Sequence, residues 1–295
     1  VGGGSGSDSI RGGDGNDTVD GGTGNDTVYG DEGNDTVTVG LGNDYVATGN
    51  GDDIVLGGDG NDSIYAGAGN DVLTGGTGND TLAGDTGNDT FHFAKGWGVD
   101  VVTDAGYGAG NNADVIQFSD VASTEILFER NNDALVLKRG ATGDQITVNN
   151  FYAFSYYGAP PLVEQFRFTD TTLDANSAMS RAITYGTAGA DNVYAYYTPT
   201  GHTMFMGDGN DSITGSQFVD IVNGEAGDDY VQAYGGNDTL DGGLGNDSLY
   251  GGDGNDTLIG GTGSDALNGD AGFDHISYIG STAAVTVNLA LGTAS

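Results

Sequence analysis

The sequence predicts an all-β protein composed of two parallel β-solenoids that are joined by a β-rich capping segment. Three observations predict this fold class. A nine-residue pattern of glycine, aspartate and an apolar residue recurs in two long runs, and 57 of the 295 residues are glycine. Such a period is typical of solenoids, in which each repeat contacts only its neighbours. Between the two runs, apolar and polar residues alternate as they do in β-strands.

The pattern divides the chain into four segments. The first run covers residues 1–103, the capping segment covers 104–185, and the second run covers 186–277 with an interruption near 195–205. Residues 278–295 begin a further strand or linker. The sequence begins within the repeat pattern and ends in a newly started strand, so we expect it to be an excerpt of a longer protein.

Each repeat has glycine at its second and fourth places, aspartate at its sixth and an apolar residue at its eighth. One example is Gly13, Gly15, Asp17 and Val19. In the first run the sixth-place aspartates are Asp8, Asp17, Asp26, Asp35, Asp44, Asp53, Asp62, Asp71, Asp80, Asp89 and, after a two-residue insertion, Asp100. In the second run they are Asp191, Asp211, Asp220, Asp229, Asp238, Asp247, Asp256, Asp265 and Asp274.

The repeat is interpreted as a six-residue turn followed by a three-residue strand. Glycine, and the asparagine that is frequent at the fifth place, tolerate the positive φ angles that a tight turn needs. The eighth-place side chain points inward and its two neighbours point outward, because side chains alternate along a strand. One inward side chain buries too little area for an isolated strand, so two repeats must form a coil and the coils must stack about 4.8 Å apart.

The charge of the chain limits its partners. There are 43 acidic residues against 7 basic ones, a formal net charge of −36, and 38 of the acidic residues are aspartate. Such a surface repels phosphate backbones and anionic lipids, so no nucleic-acid binding and no polybasic membrane docking are expected. No apolar run is long enough to insert into a membrane. The chain has no cysteine, which excludes disulfides and thiolate metal sites.

Stacking brings the aspartates of every second repeat into register. Two carboxylates about 5 Å apart repel each other by roughly 3 kcal/mol at an effective dielectric constant near 20, so the stack needs a counter-ion. The turns also supply backbone carbonyls, and carboxylate and carbonyl oxygens are the ligands that Ca²⁺ prefers. We therefore predict Ca²⁺ as the partner at the sixth-place aspartates, with about fourteen ions along both runs.

The repeat resembles the repeats-in-toxin (RTX) nonapeptide, a calcium-binding β-solenoid motif. The resemblance is complete at 12–19, 75–82 and 251–258, whereas Val219 and Phe273 replace the usual small fifth residue. It implies a parallel β-roll that is disordered without calcium, in a protein that bacteria export by type I secretion to the outside or the cell surface. It also implies that each sixth-place aspartate named above is a calcium ligand.

The capping segment is similar to the haemolysin-type segment that flanks such repeats. The similarity lies in 91–100, 114–118, 133–137, 145–151 and 163–168. Their alternation predicts antiparallel strands, and a short helix is predicted over Leu173–Arg181. Such a segment would cover the open end of a solenoid, where strand edges and apolar residues are otherwise exposed.

The sequence does not predict an enzyme. His92, His202 and His275 are scattered, and the chain contains neither a His-Glu-x-x-His motif nor a Gly-x-Ser-x-Gly elbow. An enzymatic domain elsewhere in the parent protein is compatible with this expectation.

The predicted function is a calcium-binding structural module of a secreted bacterial protein. One alternative is a component of a self-assembling surface layer, filament or adhesin. A second is ice binding, but only four of the eighteen third-place residues are threonine, too few for a regular row. Several tyrosines were candidates for a carbohydrate or cell-surface contact patch: Tyr152, Tyr156, Tyr157, Tyr194, Tyr196 and Tyr197.

Overall fold

A computed structural model describes residues 1–103, 113–152, 163–196, 198–281 and 286–288. Two compact units account for the described residues. Unit 1 comprises residues 1–128, 133–152 and 163–178, and unit 2 comprises residues 129–132 and those from 179 onward. Strands dominate both units, and the described residues include one α-helix, so the predicted all-β class is confirmed.

Twelve strands follow one another along the first run. They are β1 Gly2–Ser5, β2 Ser9–Asp14, β3 Thr18–Thr23, β4 Thr27–Glu32, β5 Thr36–Leu41, β6 Tyr45–Asn50, β7 Ile54–Asp59, β8 Ser63–Ala68, β9 Val72–Thr77, β10 Thr81–Thr86, β11 Thr90–Phe93 and β12 Val99–Thr103.

The capping region adds six strands and two short helices. They are β13 Val115–Phe118, a 3₁₀ turn at Ser123–Glu125, β14 Ile126–Asn131, β15 Ala134–Arg139, β16 Gln145–Val148, β17 Gln165–Arg167, β18 Thr172–Asp174 and α1 Ala175–Arg181. The helix lies within the span that the sequence predicted and begins two residues later.

The remaining strands belong to unit 2. They are β19 Ile183–Tyr185, β20 Asn192–Tyr194, β21 Thr203–Phe205, β22 Ser212–Thr214, β23 Ile221–Asn223, β24 Tyr230–Gly235, β25 Thr239–Asp241, β26 Ser248–Asp253, β27 Thr257–Ile259, β28 Ala266–Ala271, β29 His275–Ser277 and β30 Thr286–Asn288.

In the first run, every strand pairs in parallel with the strand two positions along the chain. Odd-numbered strands form one sheet in the order β1-β3-β5-β7-β9-β11, and even-numbered strands form the other in the order β2-β4-β6-β8-β10-β12. The register shifts by eighteen residues per coil, so that Val19 lies opposite Val37 and Val37 opposite Val55. This is the predicted solenoid of stacked parallel coils.

The strands of the first run are longer than the predicted three residues. Most have six, because the first three residues of the next repeat continue the strand, as in Thr18–Thr23. Pairing resumes after one residue, with Gly22 opposite Gly40. The prediction of a six-residue turn was therefore wrong here, and only the fourth to sixth places lie outside the strands. Three-residue strands such as Thr239–Asp241 do occur in unit 2.

The eighth-place residues form the predicted apolar seam in both units. Val28, Val46 and Leu82 have no exposed surface, and Leu240 and Leu258 are equally buried in unit 2. Complete burial of one such side chain contributes about 1.5–3 kcal/mol, so the seam supplies a large share of the stability of each stack.

The capping strands continue the stack of unit 1 and then close it. β16 pairs in parallel with β12, and β17 pairs in parallel with β13. β15 and β18 then pair antiparallel with β16 and β17. The predicted antiparallel arrangement therefore holds for these two pairs and not for the parallel pairs β12–β16 and β13–β17. Buried aromatic rings pack together in this region. The ring centroid of Phe118 lies 4.8 Å from that of Phe168 and 5.6 Å from that of Trp97.

Unit 2 contains two further series of parallel strands. One has the order β19-β21-β23-β25-β27-β29 and the other β20-β22-β24-β26-β28-β30. The interruption near 195–205 does not break the stack, because β21 pairs in register with β23 and places Met204 opposite Val222. Within the described ranges, no helix is both long and apolar enough to span a membrane.

Candidate metal sites in the turns

The sixth-place aspartates form columns that run along the stack. In each column, one carboxyl oxygen accepts a hydrogen bond from the backbone N–H of the aspartate one coil earlier. The N–H of Asp26 donates to Oδ1 of Asp44 at 2.7 Å, and that of Asp44 donates to Oδ1 of Asp62 at 2.9 Å. The aspartates inside each stack are nearly fully buried. The columns therefore hold many carboxylates away from water.

The second carboxyl oxygen of most column aspartates has no hydrogen-bond partner, although it is buried. This holds for Oδ2 of Asp8, Asp17, Asp26, Asp35, Asp44, Asp53, Asp62, Asp71, Asp80, Asp100, Asp211, Asp229, Asp238, Asp247 and Asp256. A buried carboxylate oxygen without a partner is costly unless a cation compensates for the lost water. Because fifteen equivalent oxygens share this environment, one kind of cation would satisfy all of them.

Backbone carbonyls lie beside these oxygens. Next to Gly12, the carbonyl oxygen of Gly30 and Oδ2 of Asp17 are 2.8 Å and 2.9 Å from the point that a Cβ atom would occupy. Next to Gly21, the carbonyl of Val39 and Oδ2 of Asp26 are 2.8 Å and 2.7 Å from the corresponding point. An all-oxygen set of carboxylate and carbonyl groups fits Ca²⁺ and gives soft metals no ligand. These residues therefore fit the predicted ion.

Among the described residues, no three His, Cys, Asp or Glu side chains converge on one point. This agrees with sites that draw most of their ligands from the backbone. Most turns of a column supply one unpartnered carboxylate oxygen, and carbonyl groups would supply the remaining oxygens of a site.

The turns owe their shape to left-handed backbone at the second and fourth places. Gly252 and Gly254, for example, have φ angles of 108° and 143°. The second place also accepts Asp31 and Tyr234 in this conformation, whereas every left-handed fourth-place residue of the repeats in the described ranges is glycine. The cause is contact: a Cβ atom on Gly254 would overlap the carbonyl oxygen of Gly236 in the preceding coil.

Replacing a fourth-place glycine with alanine is expected to destabilise the stack. In Gly254→Ala, left-handed backbone alone costs about 1–3 kcal/mol, and the overlap with the Gly236 carbonyl adds to this. The matched control is Gly189→Ala, because Gly189 is also a fourth-place residue but its backbone is not left-handed, and the nearest atom to its added Cβ is 4.0 Å away. Urea unfolding in saturating calcium measures both. Equal destabilisation of the two variants would contradict the argument.

The fifth-place asparagines have a different role from the predicted one. They do not adopt positive φ angles. Instead, Oδ1 of Asn16 accepts a hydrogen bond from the N–H of Asn34 at 2.9 Å, and Oδ1 of Asn43 accepts one from the N–H of Asn61 at 2.7 Å. Asparagine therefore links successive coils on the outer side of each turn, while aspartate links them on the inner side.

Burial raises the pKa of thirteen of the column carboxyls. The pKa of Asp62 is raised to about 7 and that of Asp100 to about 8, in both cases chiefly because burial disfavours the charged form. The N–H bond from the previous coil lowers these values, and the neighbouring carboxylates raise them. In unit 2 the pKa of Asp238 is raised to about 7 for the same reasons. A column without a cation therefore tends to bind protons near neutral pH.

The columns include three residues that the sequence did not indicate. The N–H of Asp89 donates to Oδ1 of Asp114 at 2.7 Å, and the N–H of Asp114 donates to Oε2 of Glu164 at 2.8 Å. In unit 2, His202 occupies a sixth place, because its N–H donates to Oδ1 of Asp220 at 2.6 Å. Asp114 and His202 both precede a buried apolar residue by two positions, a signal that irregular spacing obscured.

Two of the predicted ligands differ from the others. Oδ2 of Asp191 accepts hydrogen bonds from the N–H of Thr187 at 2.5 Å and from its hydroxyl at 3.0 Å. Oδ2 of Asp220 accepts equivalent bonds from Ser216, at 2.7 Å and 3.1 Å. In these two aspartates the oxygen that is unpartnered elsewhere is already satisfied within the turn.

The sequence profile of the RTX calcium-binding nonapeptide repeat, in four copies, matches the chain at several places. The matched residues are 2–37, 29–64, 38–73, 56–91, 207–240, 214–249 and 241–276. They cover more than half of the chain. The chain belongs to the RTX calcium-binding repeat family. A second family model, the haemolysin-type calcium binding protein related domain, matches residues 135–177, between the two RTX runs.

Two further comparisons accompany this assignment. Among solved structures, the RTX chain is similar to the extracellular lipase LipA from Serratia marcescens, with 19% identity and a TM-score of 0.28. The match covers 83% of this chain and 42% of the lipase chain, so the sequence corresponds to less than half of that protein's length. The comparison with curated proteins gives no significant match.

The structure describes only some of the other residues singled out from the sequence. Of the candidate tyrosine patch, Tyr152 is buried and Tyr194 is 47% exposed, while Tyr156, Tyr157 and Tyr197 lie outside the described residues. Exposed tyrosine pairs occur instead on the rolls, with ring centroids 5.6 Å apart for Tyr45 and Tyr65. His92 and His275 share no cluster of potential metal ligands with other described residues.

Proposed function

We propose that this RTX chain is a calcium-dependent structural module of a secreted protein and that it carries out no catalysis. The observation that supports the proposal is the recurrent buried Oδ2 atom without a partner in both units. A cation at each such oxygen would compensate for the burial of the carboxylate and would connect neighbouring coils.

Calcium would decide whether the stack forms. Without it, the aspartate columns must bury their charges, and the glycine-rich turns lose more conformational entropy on folding than other residues would. With it, the binding free energy becomes folding free energy, because the oxygens of a site come together only in the folded stack. The module would remain unfolded in the calcium-poor cytoplasm and fold outside the cell, which suits export of an unfolded chain by type I secretion.

A calcium titration tests this proposal. In metal-free buffer near neutral pH, the full chain is expected to show a far-UV circular dichroism spectrum without substantial β structure, and millimolar calcium should produce the β spectrum cooperatively. Calorimetry in the same titration measures the number of ions, which the sequence put at about fourteen. A β spectrum that is unchanged by chelation would contradict the proposal.

A self-assembling scaffold is the second candidate. Unit 1 favours it through exposed apolar side chains on two neighbouring strands: Leu41 is 51% exposed, Ile54 44% and Leu56 43%. Such a patch on an extended sheet is suited to lateral contact between copies. Light scattering during the calcium titration separates the two candidates, because only the assembler forms larger particles. Carbohydrate contact at the cell surface stays a prediction, for which the exposed tyrosine pairs are better placed than Tyr152.

A further inference from the structure

Three turns at the start of unit 2 are closed by a hydroxyl group. Thr187, Thr198 and Ser216 occupy the second place of their turns. None of the three has left-handed backbone, in contrast to the other second-place residues of this unit, such as Glu225 and Gly252. These hydroxyl-bearing turns are named here the closed turns and comprise residues 186–191, 198–202 and 215–220.

In the first closed turn, Thr187 satisfies groups on both sides of itself. Its N–H and hydroxyl both donate to Oδ2 of Asp191, as described above. Its hydroxyl oxygen also accepts a bond from the N–H of Gly189 at 3.2 Å. The fourth-place N–H is thus used within the turn.

The third closed turn repeats this arrangement with different residues. The N–H and hydroxyl of Ser216 donate to Oδ2 of Asp220, and the N–H of Phe218 donates to the Ser216 hydroxyl at 3.0 Å. In the second closed turn, the hydroxyl of Thr198 bonds to Nε2 of His202 at 2.6 Å. A hydroxyl at the second place therefore contacts the sixth-place side chain in all three turns.

The other turns of unit 2 use the same backbone groups differently. The N–H of Gly254 donates to the carbonyl of Ala271 in the next coil at 2.8 Å, and that of Gly245 donates to Thr262 at 2.8 Å. Oδ2 of Asp247 and Asp256 then has no partner. These turns connect coils and leave an oxygen for a cation, whereas the first and third closed turns direct N–H and O–H donors at that oxygen.

A carboxylate oxygen has about two lone-pair sites. On Oδ2 of Asp191 and of Asp220, the N–H and O–H of the second-place residue use both sites and leave none for a calcium ion. Both oxygens of Asp220 accept hydrogen bonds, which partly compensate for the burial of its charge. The sixth place of the second closed turn offers an imidazole in place of a carboxylate, and nitrogen is a poor ligand for Ca²⁺.

We propose that the closed turns bind no calcium and that the strands they connect, β19 to β23, form a calcium-independent base in unit 2. This inference rests on the proposed function, because it divides the sixth-place residues into calcium-dependent and calcium-independent ones. The base also contains two large buried apolar side chains, since Met204 and Met206 are fully buried there. In the column that contains Asp191, the next turn, 206–211, leaves Oδ2 of Asp211 without a partner. The calcium-dependent turns therefore begin one coil earlier in this column than in the column that contains His202 and Asp220.

Hydrogen exchange of the full chain, read by mass spectrometry, tests the inference. In calcium-free buffer near neutral pH, peptides from 183–205 and 212–223 are expected to keep protection within about tenfold of the calcium-saturated protein, while peptides from 224–276 lose about a hundredfold or more. Equal loss in both regions would overturn the inference. A lack of calcium effect in 224–276 and in 1–103 would instead count against the proposed function, so the two failures are distinguishable.

Variants at the third closed turn give an independent readout. Ser216→Gly combined with Phe218→Gly and Val219→Asn restores the repeat and is expected to add about one bound calcium ion per chain, measured by elemental analysis. Ser216→Ala, the control, should weaken protection of the base without changing the number of bound ions. An unchanged count in the triple variant, or a lower count in Ser216→Ala, would overturn the inference.

Discussion

Acidification of the calcium-free protein is expected to restore part of its β structure. The pKa values of Asp62 and Asp71 are raised to about 7 and that of Asp100 to about 8 in the folded stack, chiefly by burial. In the unfolded chain the same groups titrate near 3.9. The folded state therefore binds more protons in this interval, and its stability rises as the pH falls from about 8 towards 4. Most globular proteins lose stability over that range.

The measurement is far-UV circular dichroism and thermal melting of protein stripped of metal on a chelating resin, between about pH 8 and pH 5. The lower limit stays above the pI of 4.1, where loss of net charge promotes aggregation. About 0.5 M sodium chloride at the upper pH is the control, because salt screens exposed charges but does not remove the cost of burying a carboxylate. A β signal that falls or stays constant on acidification would contradict the prediction.

In the calcium-saturated protein, protonation of the same carboxyls is expected to lower the stability of the folded stack. A protonated carboxyl is a poor ligand, so calcium affinity should fall as the pH drops through the raised pKa values. Calcium and protons are then alternative ways to neutralise one column. The apparent midpoint of the calcium titration should therefore move to higher calcium concentration below about pH 7.

The fold was largely predictable because the repeat leaves few alternatives. A residue such as Val37, two places after Asp35, can be buried by a strand only if its neighbours point outward, and glycine at two fixed places permits only turns between such strands. The stack, the seam and the identity of the inward residues follow from these constraints. Strand length was not predictable, because glycine is disfavoured in strands and Gly22 joins the strand through pairing with Gly40.

The turns were less predictable, because their hydrogen bonds connect coils and are not local. The role of Asn16 depends on the N–H of Asn34, a residue in the next coil. His202 and Thr198 were interpreted as an interruption, since neither matches the repeat, yet they occupy its sixth and second places in the folded coil. Loss of the glycine pattern indicated an altered turn, but only the donors directed at Asp220 show what replaced it.

Asp62→Asn is expected to change the stability of unit 1 in opposite directions with and without calcium. The amide retains an oxygen that can accept the N–H of Asp44, so the link between coils survives. Its nitrogen would replace the unpartnered Oδ2, and it offers calcium no ligand. In saturating calcium the variant should lose at least one bound ion, at a cost of about 2.7 kcal/mol if free calcium exceeds the dissociation constant a hundredfold. Without calcium it should fold more readily, because one buried charge is gone.

Asp59→Asn is the matched control, because it removes the same charge in the same coil from an exposed position. Asp59 lies at a third place, and its Oδ1 accepts a bond from the Thr77 hydroxyl at 2.9 Å. An exposed carboxylate contributes little to the free energy of unfolding, so this variant should bind as many ions as the original chain and melt within about 1 °C of it. If both variants responded alike, the effect of Asp62→Asn would reflect net charge alone. A calcium-saturated stability of Asp62→Asn equal to that of the original chain would place the ion away from the column and remove the basis for calcium-dependent folding.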